Sequence, residues 1–113
     1  MSIAPLIFGC AGTVLSKDER AFFASINPYG FILFDRNISH LSQVQSLTKE
    51  LRETVVHPVV PILVDQEGGR VSRLKEPFTA WPPMCTLGRS GEVSLAKRFS
   101  RALARELLAV GVS

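Results

Sequence analysis

The chain has 113 residues, of which 46% are hydrophobic and 20% are charged, so we expect one globular domain at most and exclude a disordered chain. The same length excludes a complete (β/α)₈ barrel, because that fold takes about 250 residues. Thirteen basic and ten acidic residues give a net charge of +3, which is too mild to identify a nucleic-acid-binding protein.

The first element in chain order is an apolar run, Ala4–Phe8, which predicts a buried strand. Pro5 stands at its start, where no ladder donor is needed. A serine with a glutamate three residues later, Ser16 and Glu19, forms a capping box. This predicts a helix from that point to about Ile26, followed by a turn.

A second apolar run at residues 31–34 is continuous rather than alternating, which is typical of strands in a parallel sheet covered by helices. A helix is predicted next, because apolar residues recur at spacings of three and four. This stripe consists of Leu41, Val44, Leu47, Leu51 and Val55. His57 and Pro58 are expected to end the helix.

The third predicted strand covers residues 59–64, and Asp65 closes it. Pro61 implies either that the ladder starts after it or that the neighbouring strand is absent at that point. Residues 66–91 are rich in glycine and proline and are read as one long loop. A last helix is predicted over residues 92–110. Its inner stripe is Leu95, Phe99, Leu103, Leu107 and Val110. The final three residues are expected to approach another strand.

The predicted order is therefore β-α-β-α-β-α, an α/β fold with parallel strands. Two architectures fit it, a small open doubly wound sheet and the first three units of a (β/α)₈ barrel. Both bind ligands at the carboxyl ends of their strands. Asp35, Arg36 and Asp65 stand at such ends.

The long segment after Asp65 begins with two carboxylates and two guanidinium groups within nine residues, namely Asp65, Glu67, Arg70 and Arg73. Carboxylates accept hydrogen bonds from hydroxyls and arginine donates them, so the set suits a polyhydroxylated ligand. The same four charges could instead form ion pairs that only brace the loop, and chemistry alone does not decide. Residues 81–84 are expected to act as a stiff clamp rather than as an aromatic platform for a sugar.

Other kinds of site find no support in the sequence. No motif for a dinucleotide, a bound phosphate or a metal is present, so no cofactor is expected. His40 and His57 are expected at the surface, and Ser72 has no histidine partner. Cys10 and Cys85 are scattered, which is typical of a reducing compartment.

The basic residues of the last helix are expected to form a solvated face rather than a nucleic-acid site. They are Lys97, Arg98, Arg101 and Arg105. No apolar run reaches the roughly 18 residues of a membrane span, and no signal peptide is evident, so a cytoplasmic location without a membrane partner is predicted.

Two stretches carry a resemblance to a known family, residues 30–38 (GFILFDRNI) and residues 64–74 (VDQEGGRVSRL). Together with the PFT and PPM triplets that follow, they resemble the N-terminal part of the family 3 glycoside hydrolases. The bacterial β-N-acetylhexosaminidases of the peptidoglycan-recycling type are the more similar branch. The resemblance covers residues 5–113 and rests mainly on the specific DQEGGRV run.

This resemblance implies that residues 1–113 are a truncated part of the family's N-terminal domain, a partial (β/α)₈ TIM barrel of about three βα units. It implies a retaining hydrolase that removes terminal, non-reducing N-acetyl-β-D-glucosamine from peptidoglycan fragments. Asp65 and Arg73 would bind that sugar, while Glu67 and Arg70 would be structural supports. The family's aspartate nucleophile and histidine acid/base would lie beyond residue 113, so no catalytic residue is assigned. Gly9 stands where relatives often carry an aspartate.

The alternative hypothesis is a non-enzymatic doubly wound module that binds a small ligand or a protein partner. It predicts a monomeric chain with a cooperative melt. A barrel fragment predicts an inactive chain that is molten or aggregates in isolation, because its open edge exposes backbone donors and apolar faces.

Overall fold

A computed structural model describes all 113 residues and contains one sheet of three parallel strands with a helix in each connection. The strands are β1 (Ala4–Phe8), β2 (Pro28–Leu33) and β3 (Ile62–Val64), in the spatial order β1-β2-β3. Helix α1 (Lys17–Ile26) joins the first two strands and α2 (Leu41–Glu53) joins the second pair. The predicted mixed α/β order is confirmed, and the ladder of β3 starts after Pro61, which is the first of the two alternatives.

The segment after β3 differs from its prediction as one long loop. It contains an antiparallel hairpin of β4 (Gln66–Gly68) and β5 (Val71–Ser72), and a short helix α3 (Met84–Ser90). Strands of three and two residues are too short to show a period in the sequence, which is why the hairpin was missed. Helix α4 (Val93–Ala109) follows within one residue of its predicted bounds.

The ends of α1 are fixed by local hydrogen bonds. The Glu19 N–H donates to Ser16 Oγ over 3.1 Å, and the Ser16 N–H donates to the Glu19 carboxylate over 3.1 Å, so the predicted capping box is present. Asn27 ends the helix in the left-handed conformation at φ 52°. Because this single residue makes the turn, β2 begins directly afterwards at Pro28. Residues 28–30, which the sequence predicts as part of a turn, therefore belong to the strand.

The hydrophobic core lies on one face of the sheet. Phe31 and Leu33 of β2 and Ile62 of β3 are fully buried there. The helices contribute Phe23, Val44, Leu47, Leu51 and Val110 to the same cluster. The predicted stripe of α2 is therefore confirmed as its core-facing side.

The opposite face of the sheet is only partly covered. Ile32 and Leu63 are register partners on that face and are half-buried, and Ile7 of β1 is 47% exposed. Leu6 is 49% exposed because β1 is an edge strand. The prediction that β1 is buried was therefore wrong, since burial depends on neighbours that a local apolar run cannot reveal.

The predicted apolar stripe of α4 lies on the less exposed side of the helix. Its residues within the helix are half-buried, and only Val110, directly after the helix, is fully buried. The four basic residues of this helix are exposed, as predicted. After α4 the chain returns to the sheet, where the Ser113 N–H donates to the Ile62 carbonyl of β3 over 2.9 Å. None of the helices has both the length and the apolar character needed to cross a bilayer.

Replacing Leu47 with alanine should lower the free energy of unfolding by about 2–5 kcal/mol, because the side chain is 1% exposed and its removal leaves a cavity. Leu108→Ala is the matched control, since that helical leucine is 65% exposed and should cost less than about 1 kcal/mol. Urea unfolding followed by circular dichroism measures both. Equal losses would show that the core is not where the structure places it.

Candidate functional site

Three charged residues that are distant in sequence meet at the carboxyl ends of β2 and β3. Asp35 begins a 3₁₀ turn directly after β2, Asp65 lies between β3 and β4, and Arg73 follows β5. Arg73 Nη1 lies 3.3 Å from Asp35 Oδ2, and Arg73 Nη2 lies 4.0 Å from Asp65 Oδ2. The structure therefore brings the two predicted site residues together and adds Asp35 to them.

The charges in this cluster are arranged with the carboxylates toward solvent. The side chains of Asp35 and Asp65 are 55% and 43% exposed, whereas that of Arg73 is 26% exposed. One guanidinium serves two carboxylates, so the cluster keeps one net negative charge. It offers hydrogen-bond acceptors and donors side by side, which is the combination that neutral hydroxyl groups require.

The side-chain amide of Gln66 fixes the position of Arg73. Gln66 is buried, and its Oε1 accepts hydrogen bonds from the N–H groups of Arg73 and Leu74 over 2.8 and 3.0 Å. Its Nε2 donates to the Leu74 carbonyl over 2.9 Å. The backbone after β5 is thereby held against the start of β4. No role is predicted for Gln66 from the sequence, because no spacing or charge distinguishes it from a surface glutamine.

The fully buried Asn37 has the corresponding role at the end of β2. Its Nδ2 lies within hydrogen-bond distance of the carbonyls of Cys10 and Gly12, at 3.0 and 2.8 Å, and its Oδ1 accepts from the Phe34 N–H over 2.9 Å. These bonds tie the loop after β1 to the turn that Asp35 begins. This role was also missed, since it depends on contacts more than 20 residues apart.

Arg36 is a brace of the rim rather than a group free to bind a ligand. Its Nε donates to the Cys10 carbonyl over 3.0 Å, and its guanidinium lies 4.9 Å from the ring centre of Phe34. A Cβ at Gly9 would lie 3.2 Å from Arg36 Nη2. A side chain at position 9 would therefore meet this guanidinium.

The prediction that Glu67 and Arg70 support the loop is not met by a polar contact within residues 1–113 and stays a prediction. Both residues are exposed, and neither side chain makes a hydrogen bond or an ion pair. Glu67 lies in β4 and Arg70 lies in the hairpin turn itself, and both side chains extend into solvent. Of the four charges at the start of the segment, only Asp65 and Arg73 approach each other.

The hairpin turn is held by the segment that contains Trp81. Gly68 and Gly69 have φ values of 83° and 59°, and the Gly69 N–H donates to the Trp81 carbonyl over 2.8 Å. A Cβ on Gly68 would collide with the Pro82 carbonyl oxygen. The indole N–H of Trp81 reaches Glu106 of α4 over 3.3 Å. The predicted clamp is therefore confirmed, and the indole is directed to α4 rather than to the rim.

The two histidines have local structural contacts. His40 is exposed, and its Nδ1 accepts from the Gln43 N–H over 3.1 Å at the start of α2. His57 is half-buried, with its ring nitrogens 2.8 Å from the carbonyls of Val59 and Pro28. No group of three or more His, Cys, Asp or Glu residues is arranged to hold a metal ion.

A cleft of about 150 Å³ adjoins the charged cluster. Asp35 and Arg73 form one side of it, and the surrounding polar residues include His40, Lys75 and Glu76. The Asp35–Arg73 pair therefore borders an open polar recess rather than packed protein.

Comparison with known proteins gives one family. Residues 11–113 match the model of the glycosyl hydrolase family 3 N terminal domain. A Beta-hexosaminidase of Photobacterium profundum is 37% identical over 111 residues, which cover 97% of this chain and 33% of that protein. A Beta-hexosaminidase of Nitrosomonas eutropha is 40% identical over 118 residues, which cover 99% of this chain and 34% of that protein.

Solved structures agree with these relatives. NagZ from Neisseria gonorrhoeae, in complex with N-trifluoroacetyl-D-glucosamine, matches with a TM-score of 0.87 and 35% identity over 96% of this chain and 34% of that one. A family 3 β-N-acetylglucosaminidase from Paenibacillus sp. matches with a TM-score of 0.86 and 32% identity over 95% of this chain and 21% of that one. The chain thus spans about a third of the length of the curated relatives it matches.

Gly68→Ala should loosen the hairpin, because alanine is strained at a φ of 83° and its Cβ would strike Pro82. The expected result is faster proteolysis within residues 66–83, located by mass spectrometry. Gly91→Ala is the matched control, since Gly91 also has a positive φ, 65°, but nothing lies within 4 Å of its Cβ position. Equal cleavage in both variants would contradict the contact between the hairpin and the Trp81 segment.

The two free cysteines should differ in reactivity. Burial, with a smaller contribution from the charge of Glu19, raises the pKa of the Cys10 thiol to about 11, so at pH 8 the thiol is protonated and inert. Cys85 is exposed. Alkylation with iodoacetamide at pH 8 should label Cys85 first, and Cys10 only after unfolding. Peptide mapping that found Cys10 labelled at the same rate would disprove its burial.

Proposed function

Since the chain belongs to the glycosyl hydrolase family 3 N-terminal domain family, we propose that it is part of a retaining β-N-acetylhexosaminidase that removes terminal, non-reducing N-acetyl-β-D-glucosamine residues. Its curated relatives are named Beta-hexosaminidase. Because the chain spans about a third of their length, the proposal concerns the complete protein.

The observation that carries the proposal is the pairing of Asp65 with Arg73 at the rim. We assign both residues to substrate binding. Their closest side-chain atoms are 4.0 Å apart, so one sugar hydroxyl between them can donate to the carboxylate and accept from the guanidinium. Both groups remain partly exposed, as a binding site requires.

We further propose that residues 1–113 form the first three βα units of a (β/α)₈ barrel. The strand order is sequential, and Ser113, which follows the last helix by four residues, donates its N–H to β3 rather than to β1. The core helices lie on one face of the sheet. A doubly wound sheet reverses its strand order and has helices on both faces, so this arrangement supports the barrel over the non-enzymatic module.

The catalytic groups belong, on this proposal, to the part of the protein beyond residue 113. A retaining glycosidase needs a nucleophile and an acid/base on either side of one glycosidic bond. Asp35 and Asp65 do not fit these roles, because both carboxylates contact the same guanidinium. Residues 1–113 are therefore expected to contribute to glycoside binding in the complete protein but not to hydrolyse a glycoside on their own.

The proposed substrates are muropeptides and related glycosides released from peptidoglycan. The solved NagZ in complex with N-trifluoroacetyl-D-glucosamine supports an N-acetylglucosamine-type sugar in the terminal position. An exposed free thiol, that of Cys85, is typical of proteins in reducing compartments and supports a cytoplasmic location. No cofactor enters the proposed reaction.

Asp65→Ala in the complete protein should reduce kcat/KM about 10- to 100-fold, because the sugar loses a charged hydrogen-bond acceptor. Release of 4-nitrophenol from 4-nitrophenyl N-acetyl-β-D-glucosaminide measures this. Glu67→Ala is the control, since its exposed side chain makes no contact and should leave the rate within about twofold. Full activity in Asp65→Ala would overturn the role of Asp65.

The nucleotide sequence downstream of codon 113 provides an independent test of the proposed domain. An open reading frame that continues into a histidine-containing loop and a later aspartate is the expected result. If the protein is complete at residue 113, or continues without these residues, the proposed hydrolase activity is wrong.

A further inference from the structure

We infer that Asp35 is a positioning residue that holds Arg73 away from Asp65 and so keeps the binding pair open for a sugar hydroxyl. This inference rests on the proposed function of Asp65 and Arg73. It adds a residue to which the resemblance assigns no role.

Asp35 has the closer contact with the shared guanidinium. Its Oδ2 lies 3.3 Å from Arg73 Nη1, whereas the Asp65 carboxylate lies 4.0 Å from Nη2. Arg36 is adjacent in sequence, but its Nε is directed to the Cys10 carbonyl. Arg73 is the only basic residue in ion-pair contact with Asp35.

The backbone that carries the Asp35 carboxylate is fixed independently of its attraction to Arg73. Asp35 begins a short turn in which its carbonyl accepts from the Ile38 N–H over 3.2 Å. The same turn contains the buried Asn37, whose amide is bonded to the loop after β1. A carboxylate on this fixed turn can hold the guanidinium in one place.

The three guanidinium nitrogen atoms of Arg73 therefore have different environments. Nε is buried and has no hydrogen-bond partner, so a ligand approaches through the two Nη atoms. Asp35 occupies Nη1, which leaves Nη2 facing Asp65 across the 4.0 Å gap. Without Asp35, Arg73 would be drawn onto Asp65, because arginine and carboxylate prefer a closer, bidentate geometry. The donor and the acceptor would then satisfy each other instead of the sugar.

The test is a kinetic comparison of Asp35→Asn with wild type in the complete protein, using 4-nitrophenyl N-acetyl-β-D-glucosaminide. We expect KM and the inhibition constant of free N-acetyl-D-glucosamine to rise together, about two- to fivefold, with kcat within about twofold. Asp35→Glu restores the charge and should recover part of the affinity. A purely structural role would lower the melting temperature without raising the two constants together.

Glu50→Gln is the matched control. It removes a carboxylate from another ion pair of the same length, 3.3 Å to Arg20, between two helices and away from the rim. It should leave KM unchanged. If the enzyme is active and Asp35→Asn also leaves KM and the inhibition constant unchanged, the inference fails while the proposed function stands. A wild-type protein that neither cleaves the substrate nor binds N-acetyl-D-glucosamine would overturn both.

Discussion

The proposed binding rim depends on the buried side-chain amide of Gln66. This amide satisfies two backbone N–H groups and one carbonyl in the segment that carries Arg73, and it sits directly after Asp65 in the chain. A buried amide that satisfies this many backbone groups is costly to displace, because each group left unpaired in the interior costs about 1–3 kcal/mol. The distance between Asp65 and Arg73 is therefore set by the backbone as well as by the attraction of their charges. Without Gln66, two partly exposed side chains of opposite charge would adopt many relative positions.

Helix α4 supports the β4–β5 hairpin, which contains Gln66, through the segment that contains Trp81. Glu106 accepts hydrogen bonds from the Trp81 indole and from the Thr79 backbone, and Trp81 in turn accepts from Gly69 in the hairpin turn. A chain of contacts thus runs from the helix to the turn and from the turn to the strands that hold the rim. Sites mounted on such support keep their geometry better than sites on free loops. The segment after β3 is therefore neither disordered nor a simple linker, although residues 66–91 contain four glycines and three prolines.

The sequence predicted correctly those parts of the fold that depend on interactions between residues close together in the chain. The capping box at Ser16 and the apolar stripe of α2 lie within one or two helical turns, and both were confirmed. The exposure of β1 could not be predicted, because an apolar strand looks the same whether its neighbours cover it or not. The hairpin was missed since its strands are too short to show a period. At the site, the strand ends indicated Asp35 and Asp65, and the family resemblance of residues 64–74 indicated Arg73. The roles of Asn37 and Gln66 required the tertiary contacts, since a buried amide and a surface amide are identical in the sequence.

The same geometry explains how a binding rim can be built by one third of a larger protein. In a sheet of parallel strands, the carboxyl ends of all strands lie at the same edge. The residues that directly follow the strands of consecutive βα units therefore lie side by side. Asp35 comes from one unit and Asp65 from the next, and Arg73 returns to both through the hairpin. The cluster keeps one unneutralised carboxylate charge, and its two Asp side chains are about half exposed. Such a surface binds neutral hydroxyl groups through directed hydrogen bonds and does not need a deep apolar cavity. On the proposed function, binding of the terminal sugar is a property of the first units, whereas bond cleavage depends on groups that would face this rim from elsewhere in the proposed barrel.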